Sequence, residues 1–320
     1  MPHPRTRLRV LVVAAMAAAI TGSFLTPAQA APSETELKKQ IETASDKLED
    51  VTEQYNAMNV ALKKTQADAK KLQASLAPAQ AALKVASAQV GNLATTSYKQ
   101  GRVGPMSALL SGTQDGLMDR MSYLDMLTRA NQRDIDTYTE ATQSFNERQA
   151  ALKATQTKQT AQLRALSTQK AAIQKDLKKL FEMREVAFGQ AQESGSKYDG
   201  PIPEISGKAG IAVTFAYNQI GKPYLFGAGG PGSYDCSGLT SAAWRAAGKS
   251  LTHQTKSQWS ETKRISRDDL KPGDLVFYRS LGHVAIYVGD GQIIDAPRAG
   301  TVVKKRTINI MTPYGYGRVV

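Results

Sequence analysis

Tyr234-Asp235-Cys236-Ser237-Gly238-Leu239 holds the only cysteine of the 320-residue chain. Asp235 is placed to cap a helix that opens at Cys236 and continues through Leu239, Ala242, Ala243 and Trp244. A sulfur at that end meets free N–H groups and the positive end of the helix dipole, which lower a thiol's pKa. The same N–H groups suit an oxyanion on an attacked carbonyl. A free cysteine is otherwise a small buried hydrophobe, so the neighbours decide between the two roles. The glycine-rich run Phe226–Gly232 precedes it, and His253 and His283 follow. One nucleophile with two candidate bases in the last third of the chain points to thiol catalysis.

The elements around this motif read as α+β. Lys208–Ile220 has a helical pattern ended by Gly221-Lys222-Pro223. Leu275–Tyr278 and His283–Val288 read as strands, Asp290-Gly291 as a tight turn, and Gln292–Ala296 as the returning strand. His283 is then the base and Asp295 the group that orients it. A tight turn sets Asp295 opposite Ile286, so joining the two side chains requires a wider turn or a bulge.

The chain opens like a secretory signal over 1–30. Arg5, Arg7 and Arg9 precede an apolar stretch from Val10 to Ile20, and Ala28-Gln29-Ala30 is a small-x-small cleavage site. The stretch is shorter than the roughly 20 residues of a bilayer span, which favours cleavage over a retained anchor and a secreted, wall-associated product. Cleavage also removes His3, leaving His253 and His283. A lone cysteine in an exported protein is either paired between molecules or kept for chemistry. The formal charge of +13 is uneven: 15 basic and 7 acidic residues lie from Gly207 onward, against 23 and 21 over Ala31–Ser206. A basic C-terminal domain is drawn to polyanions. With export and no nucleic-acid motif, an anionic cell envelope fits and nucleic acid does not. One Cys and two His without a recurring ligand spacing give no metal site and no cofactor.

Between signal and motif lies a helical region, 31–188. Leu37, Ile41, Ala44, Leu48, Val51, Tyr55, Met58 and Leu62 begin a seam of fours and threes that runs to Leu93. That period predicts a coiled coil, a rod of about 90 Å over sixty residues, which Pro78 is expected to kink near Ala77. A second seam runs from Leu117 to Leu180, with Asn131, Gln149, Gln156 and Gln159 as polar lapses. Gly101-Arg102-Val103-Gly104-Pro105 breaks the two, and Met106–Leu110 reads as a short helix. The simplest arrangement is an antiparallel hairpin, with intermolecular pairing as the rival. Residues 189–206 read as a linker and 207–320 as a separate domain.

Pro223-Tyr224, the glycine loop, Asp235–Leu239, Leu270-Lys-Pro-Gly-Asp-Leu275 and His283–Gly289 with Ala296-Pro297, in that order, resemble the NlpC/p60 family of cell-wall cysteine peptidases. The resemblance covers roughly Gly207–Val320 and implies a compact papain-like α+β fold. It implies Cys236 as nucleophile, His283 as base and Asp295 in the third polar position. Tyr224, Asp235, Ser237 and His253 are implied as oxyanion or substrate contacts. The implied reaction is hydrolysis of a peptidoglycan stem peptide, typically between γ-D-glutamyl and a diamino acid. The helical region looks like the coiled coils of division-associated wall hydrolases, which can block their own cleft and are released by a membrane ABC-transporter-like complex. The alternatives are a non-enzymatic coiled-coil scaffold or activator whose last domain only binds wall material, and another acyl transfer on the same fold.

Overall fold

A computed structural model describes residues 33–100 and 116–320. The signal segment, the 101–105 breaker and the short 106–110 helix lie outside the described residues. The apolar seams produce two long helices, α1 (Glu34–Gln100) and α2 (Leu117–Phe188), with α1 continuing through Pro78. Among the described residues no helix is long and apolar enough to cross a bilayer.

The chain divides into two compact units, one of Ala61–Leu163 and one that joins Arg164–Val320 to the residues before Val60. In the first, Leu62, Thr65 and Ala86 are buried, and Arg148 Nη1 donates to the Ser75 carbonyl at 3.3 Å. Several seam positions there, including Met121, Ile135 and Leu163, are exposed rather than packed. Two helices enclose only one stripe between them, and the seam's polar lapses narrow it further.

In the other unit the seam is closed: Ile41 and Leu48 share a buried cluster with Ile173 and Leu180. Gln169 Nε2 donates to the Val51 carbonyl across the pair. A mixed domain follows, with α3 (Gly207–Tyr217), α4 (Cys236–Ala246) and α5 (Thr255–Glu261). Its strands are β1 (Lys263–Ile265), β2 (Leu275–Tyr278), β3 (His283–Gly289), β4 (Gln292–Asp295), β5 (Lys304–Thr307) and β6 (Pro313–Arg318). They form one antiparallel sheet in the order β1-β6-β2-β3-β4-β5.

Alternation along the strands makes two apolar layers. Leu275, Phe277, Val284, Ile286 and Ile294 pack with Ala212, Val213 and Ala216 of α3 and Leu239, Ala243 and Trp244 of α4. Val276, Tyr278, Ala285, Ile293 and Ile308 form the opposite layer. The Trp244 indole donates to the Gly273 carbonyl, pinning α4 to the turn before β2. At its other end, the start of α4 lies close to the start of β3.

Candidate active site

Asp235 caps α4 as its residue type predicts: Oδ1 accepts from the Gly238 N–H at 2.7 Å. The turn is tight enough that a Cβ at Gly238 would stand 2.2 Å from the Ala228 carbonyl oxygen. Only glycine fits there, and Cys236 is thereby set as the first helical residue, beside the glycine loop.

Asp290 and Gly291 both take positive φ, 53° and 66°, as a two-residue hairpin turn requires. The register then shifts between Tyr287 and Gly289, so Ile294 rather than Asp295 lies opposite Ile286. A one-residue slip moves a side chain to the other face of a sheet. The bulge thus brings Asp295 onto the face of His283, and Asp295 Oδ2 sits 2.8 Å from His283 Nε2. Arg306, on β5 opposite Ile293, reaches diagonally to the same carboxylate. Its Nε donates to Oδ1 at 3.0 Å and its Nη2 to Oδ2. Burial alone would raise the Asp295 pKa, but His283 and Arg306 outweigh it and hold the carboxyl below its ordinary value.

Cys236 Sγ, a His283 ring nitrogen and a Glu49 carboxylate oxygen all lie within 4.8 Å of one another, each residue buried. Glu49 belongs to α1, as do the other groups that fill the site. Glu49 Oε1 lies 2.5 Å from His283 Nδ1, the ring nitrogen that Asp295 leaves available. Glu53 Oε1 accepts from Ser237 Oγ at 2.7 Å and lies 3.8 Å from Cys236 Sγ, while Oε2 accepts from the Thr255 N–H at 2.6 Å. Asn56 Nδ2 donates to Asp235 Oδ2 at 3.0 Å, and the Tyr55 ring packs on Phe226 with centroids 4.7 Å apart. Arg279, just before β3, holds Asp46, Glu49 and Asp50 of α1. The helix lies on the site as a plug.

The sequence-predicted residues converge here. Cys236, His283, Asp295 and Asp235 are buried, and His253 Nε2 meets Asp235 Oδ1 at 2.7 Å. Tyr224 is buried too, its hydroxyl pKa pushed well up by burial and by the charges of Asp235, Cys236 and Glu49. Ser237 is engaged by Glu53.

Against the expectation of a thiolate, burial pushes the Cys236 thiol up to about 12; hydrogen bonding to His283 lowers it, but Glu53 and Glu49 add to the rise. Burial would lower the His283 pKa, yet Glu49 and Asp295 on its two nitrogens hold it well above the usual imidazole value. Both shifts act in the same sense, toward a neutral thiol and a protonated imidazole. Burial and Asp235 also raise the Glu53 pKa, with Ser237 and Thr255 opposing.

Glu49, Cys236 and His283 are ligand types for a metal, but their spacing is that of a hydrogen-bonded pair. Two ligands of one tetrahedral zinc stand roughly 3.4 Å apart, from bonds of about 2.1 Å, whereas Glu49 and His283 are at 2.5 Å.

Sequence reasoning missed Glu49, Glu53, Asn56, Arg279 and Arg306. The first three lie off the apolar seam of α1. Their spacing of four and three places them on one helical face, together with Ser45 and Thr52, which are also buried. A polar stripe of constant phase next to an apolar one was the available signal.

Comparison with known proteins places the family model "NlpC/P60 family" on residues 221–316. Over 109 residues the chain is 40% identical to "Probable endopeptidase p60" of Listeria grayi, covering 32% of this chain and 21% of that protein. It is 33% identical over 135 residues to "Peptidoglycan endopeptidase RipA" of Mycolicibacterium smegmatis, covering 36% and 27%. A "Probable endopeptidase" of Corynebacterium glutamicum is 39% identical over 100 residues, covering 31% and 47%. Among solved structures, the NlpC/p60 domain of peptidoglycan hydrolase SagA is 36% identical, covering 34% of this chain and 97% of that one with a TM-score of 0.33. The matched region spans between about a fifth and a half of these curated relatives' lengths.

Proposed function

The C-terminal domain of this chain belongs to the NlpC/P60 family, and from that premise we propose that the chain is a secreted cell-wall thiol endopeptidase held latent by its own first helix. Its substrate is the peptidoglycan stem peptide, and the bond cut is the amide between γ-D-glutamyl and a diamino acid. With α1 withdrawn, Cys236 passes its proton to His283 Nδ1 and Sγ attacks the amide carbonyl. The oxyanion gathers at the α4 N-terminus beside Tyr224. His283 then returns the proton to the leaving amine, and water releases the acyl group from sulfur. Asp295 keeps the imidazole oriented throughout, paired to Arg306. No metal or cofactor takes part.

The observation that carries this reading is the contact of Glu49 and Glu53 with the two reacting groups. A domain that merely held wall material would have no need of carboxylates on its imidazole and its thiol. Opening requires an agent that acts on the helices, the role that the sequence resemblance gives to a membrane ABC-transporter-like complex. The domain division at 31–188, 189–206 and 207–320 is kept in this reading, with α1 as the regulatory part.

The test uses the full chain carrying Glu49→Ala and Glu53→Ala, incubated with purified wall and read by mass spectrometry of the released peptides. New amino termini at the diamino acid are expected, and adding Cys236→Ala should remove them. Cleavage that survives Cys236→Ala would overturn the proposal, as would none from the opened chain.

A further inference from the structure

Arg279 stands outside the triad and its oxyanion groups, yet the fold holds it at the site under strain. Arg279, Ser280 and Leu281, none of them glycine, have φ of 48°, 50° and 72° in succession. Such backbone in residues other than glycine is strained and gathers at functional positions. They turn the chain between β2 and β3 and set the guanidinium four residues ahead of His283.

Among the described residues, every polar partner of that guanidinium belongs to α1. Nη1 meets Glu49 Oε2 at 2.5 Å and Asp46 Oδ1 at 3.2 Å; Nη2 meets the Asp46 carbonyl at 2.7 Å and Asp50 Oδ1 at 3.1 Å. Withdrawing α1 therefore strips Arg279 of its carboxylates together and leaves a planar donor fork beside the opened site. Arginine in that state is suited to a carboxylate ligand.

Glu49 indicates where such a ligand would lie. One of its oxygens is on His283 Nδ1 and the other on Arg279 Nη1. His283 Nδ1 is the atom that protonates the departing amine in the proposed reaction. Arg279 consequently lies one carboxylate's width beyond the leaving nitrogen. The other side of Cys236, where Ser237 Oγ and the Thr255 N–H face the site, is taken by Glu53.

We infer that Arg279 is a specificity determinant that grips a free carboxylate on the residue whose amine leaves, and that Glu49 imitates that carboxylate in the closed chain. The inference rests on the endopeptidase reading above. It narrows the substrate to stem peptides whose diamino acid is unamidated, in preference to their amidated counterparts.

The test uses the full chain with Glu49→Ala and Glu53→Ala, so that α1 is open in every arm. The probes are L-Ala–γ-D-Glu–X, with X either lysine or diaminopimelate. Each is made with the carboxyls of X free, with those carboxyls amidated, or with only the glutamyl α-carboxyl amidated. The expected result is a preference of about tenfold or more in kcat/KM for free carboxyls on X, expressed in KM, as a charge-assisted fork supplies. Arg279→Gln should bring that ratio near one, and Arg279→Lys, which keeps the charge without the fork, should fall between. Survival of the ratio in Arg279→Gln would overturn the inference, and so would a preference that follows glutamyl amidation instead. Cys236-dependent cleavage without any preference defeats this inference alone. Absence of all cleavage defeats the endopeptidase reading and this inference with it.

Discussion

The stretch of α1 before Val60 and the helices of Ala61–Leu163 share a heptad vocabulary but use their faces in opposite ways. The first buries Ser45, Glu49, Thr52, Glu53 and Asn56, polar residues that a free helix would present to water. The second leaves Met118, Met121, Met126 and Ile135 exposed, apolar residues that a packed helix would cover. Burying carboxylates is costly unless each meets a partner. Here the partners are the imidazole, thiol, hydroxyl and guanidinium of the C-terminal domain, so this part of the helix is matched to one site. Asp125, Asp136 and Glu147 of 61–163 instead meet exposed partners one turn away on their own helix. Shared periodicity therefore does not imply shared work.

Removing the charges that distinguish the first region should break that contrast most sharply. Breaking the buried Glu49–His283 pair costs about 3–5 kcal/mol, and Glu53→Ala also removes the hydrogen bonds to Ser237 and Thr255 from the closed state alone. Wall-hydrolysing activity of the full chain should rise by roughly a hundredfold or more by this arithmetic. Asp136→Ala with Glu147→Ala, on the exposed face of α2, should leave it unchanged. Equal responses from the two pairs, in a dye-release assay on wall, would dissolve the distinction.

Proton binding sharpens the same contrast. His283 faces Glu49 of α1, Asp295 of β4, Cys236 of α4 and the Tyr278 ring of β2. Arg279 and Arg306 sit behind the two carboxylates. Glu49 of α1 is among the groups that raise its pKa in the closed chain, so the closing energy it supplies is complete below the open chain's value and fades as pH climbs through the closed chain's. Glu53, also raised, acts with the same sign, since the closed site favours its protonated form. Asp295 keeps Arg306 whether α1 is bound or not, and does not enter this balance. Hydrogen exchange of residues 46–56, corrected for the intrinsic rate, should accelerate from neutral to alkaline pH. That of residues 130–160 should not. Faster exchange of 46–56 toward acid would contradict the sign.

These contacts also mark the limit of what the chain's order of residues discloses. Asp235, Cys236, the β3–β4 hairpin and the two long helices were legible, because capping, turn chemistry and period are local properties. The Asp295–His283 pairing was visible as a difficulty, since a tight turn puts them on opposite faces. The bulge at Val288 that resolves it depends on packing in three dimensions. Glu49 and Glu53 were legible only as polar heptad positions. Their contacts are with partners 234 and 184 residues away, which no window of sequence contains. The acid level of the thiol follows suit: a capped helix start predicts a thiolate, and the plug reverses it.

Arg306 allows a smaller test inside the C-terminal domain. Replacing it by methionine in the opened chain leaves Asp295 buried with His283 as its only described partner. Its pKa should rise, because Arg306 is among the groups that hold it down. The acidic limb of the kcat/KM profile should move upward, with kcat reduced on the order of tenfold, the scale of a lost charge-assisted bond. Arg306→Lys should restore most of the limb's position. A profile that falls uniformly without shifting would make Arg306 a packing residue only.

The least effect belongs to the exposed seam, and it measures the contrast in stability rather than rate. Ile173 lies in the closed cluster and is almost wholly buried, whereas Met121 is 53% exposed. Ile173→Ala removes buried methylenes and leaves a cavity, worth about 2–5 kcal/mol. Met121→Ala, with half its surface already in water, should stay within about 0.5 kcal/mol. Urea melts followed by circular dichroism would report both, since each site lies on α2 and the helical signal is shared. If Met121→Ala proved as damaging as Ile173→Ala, the exposed face would have to be covered in solution. The division between a matched helix and an unmatched one would then apply only to the isolated chain.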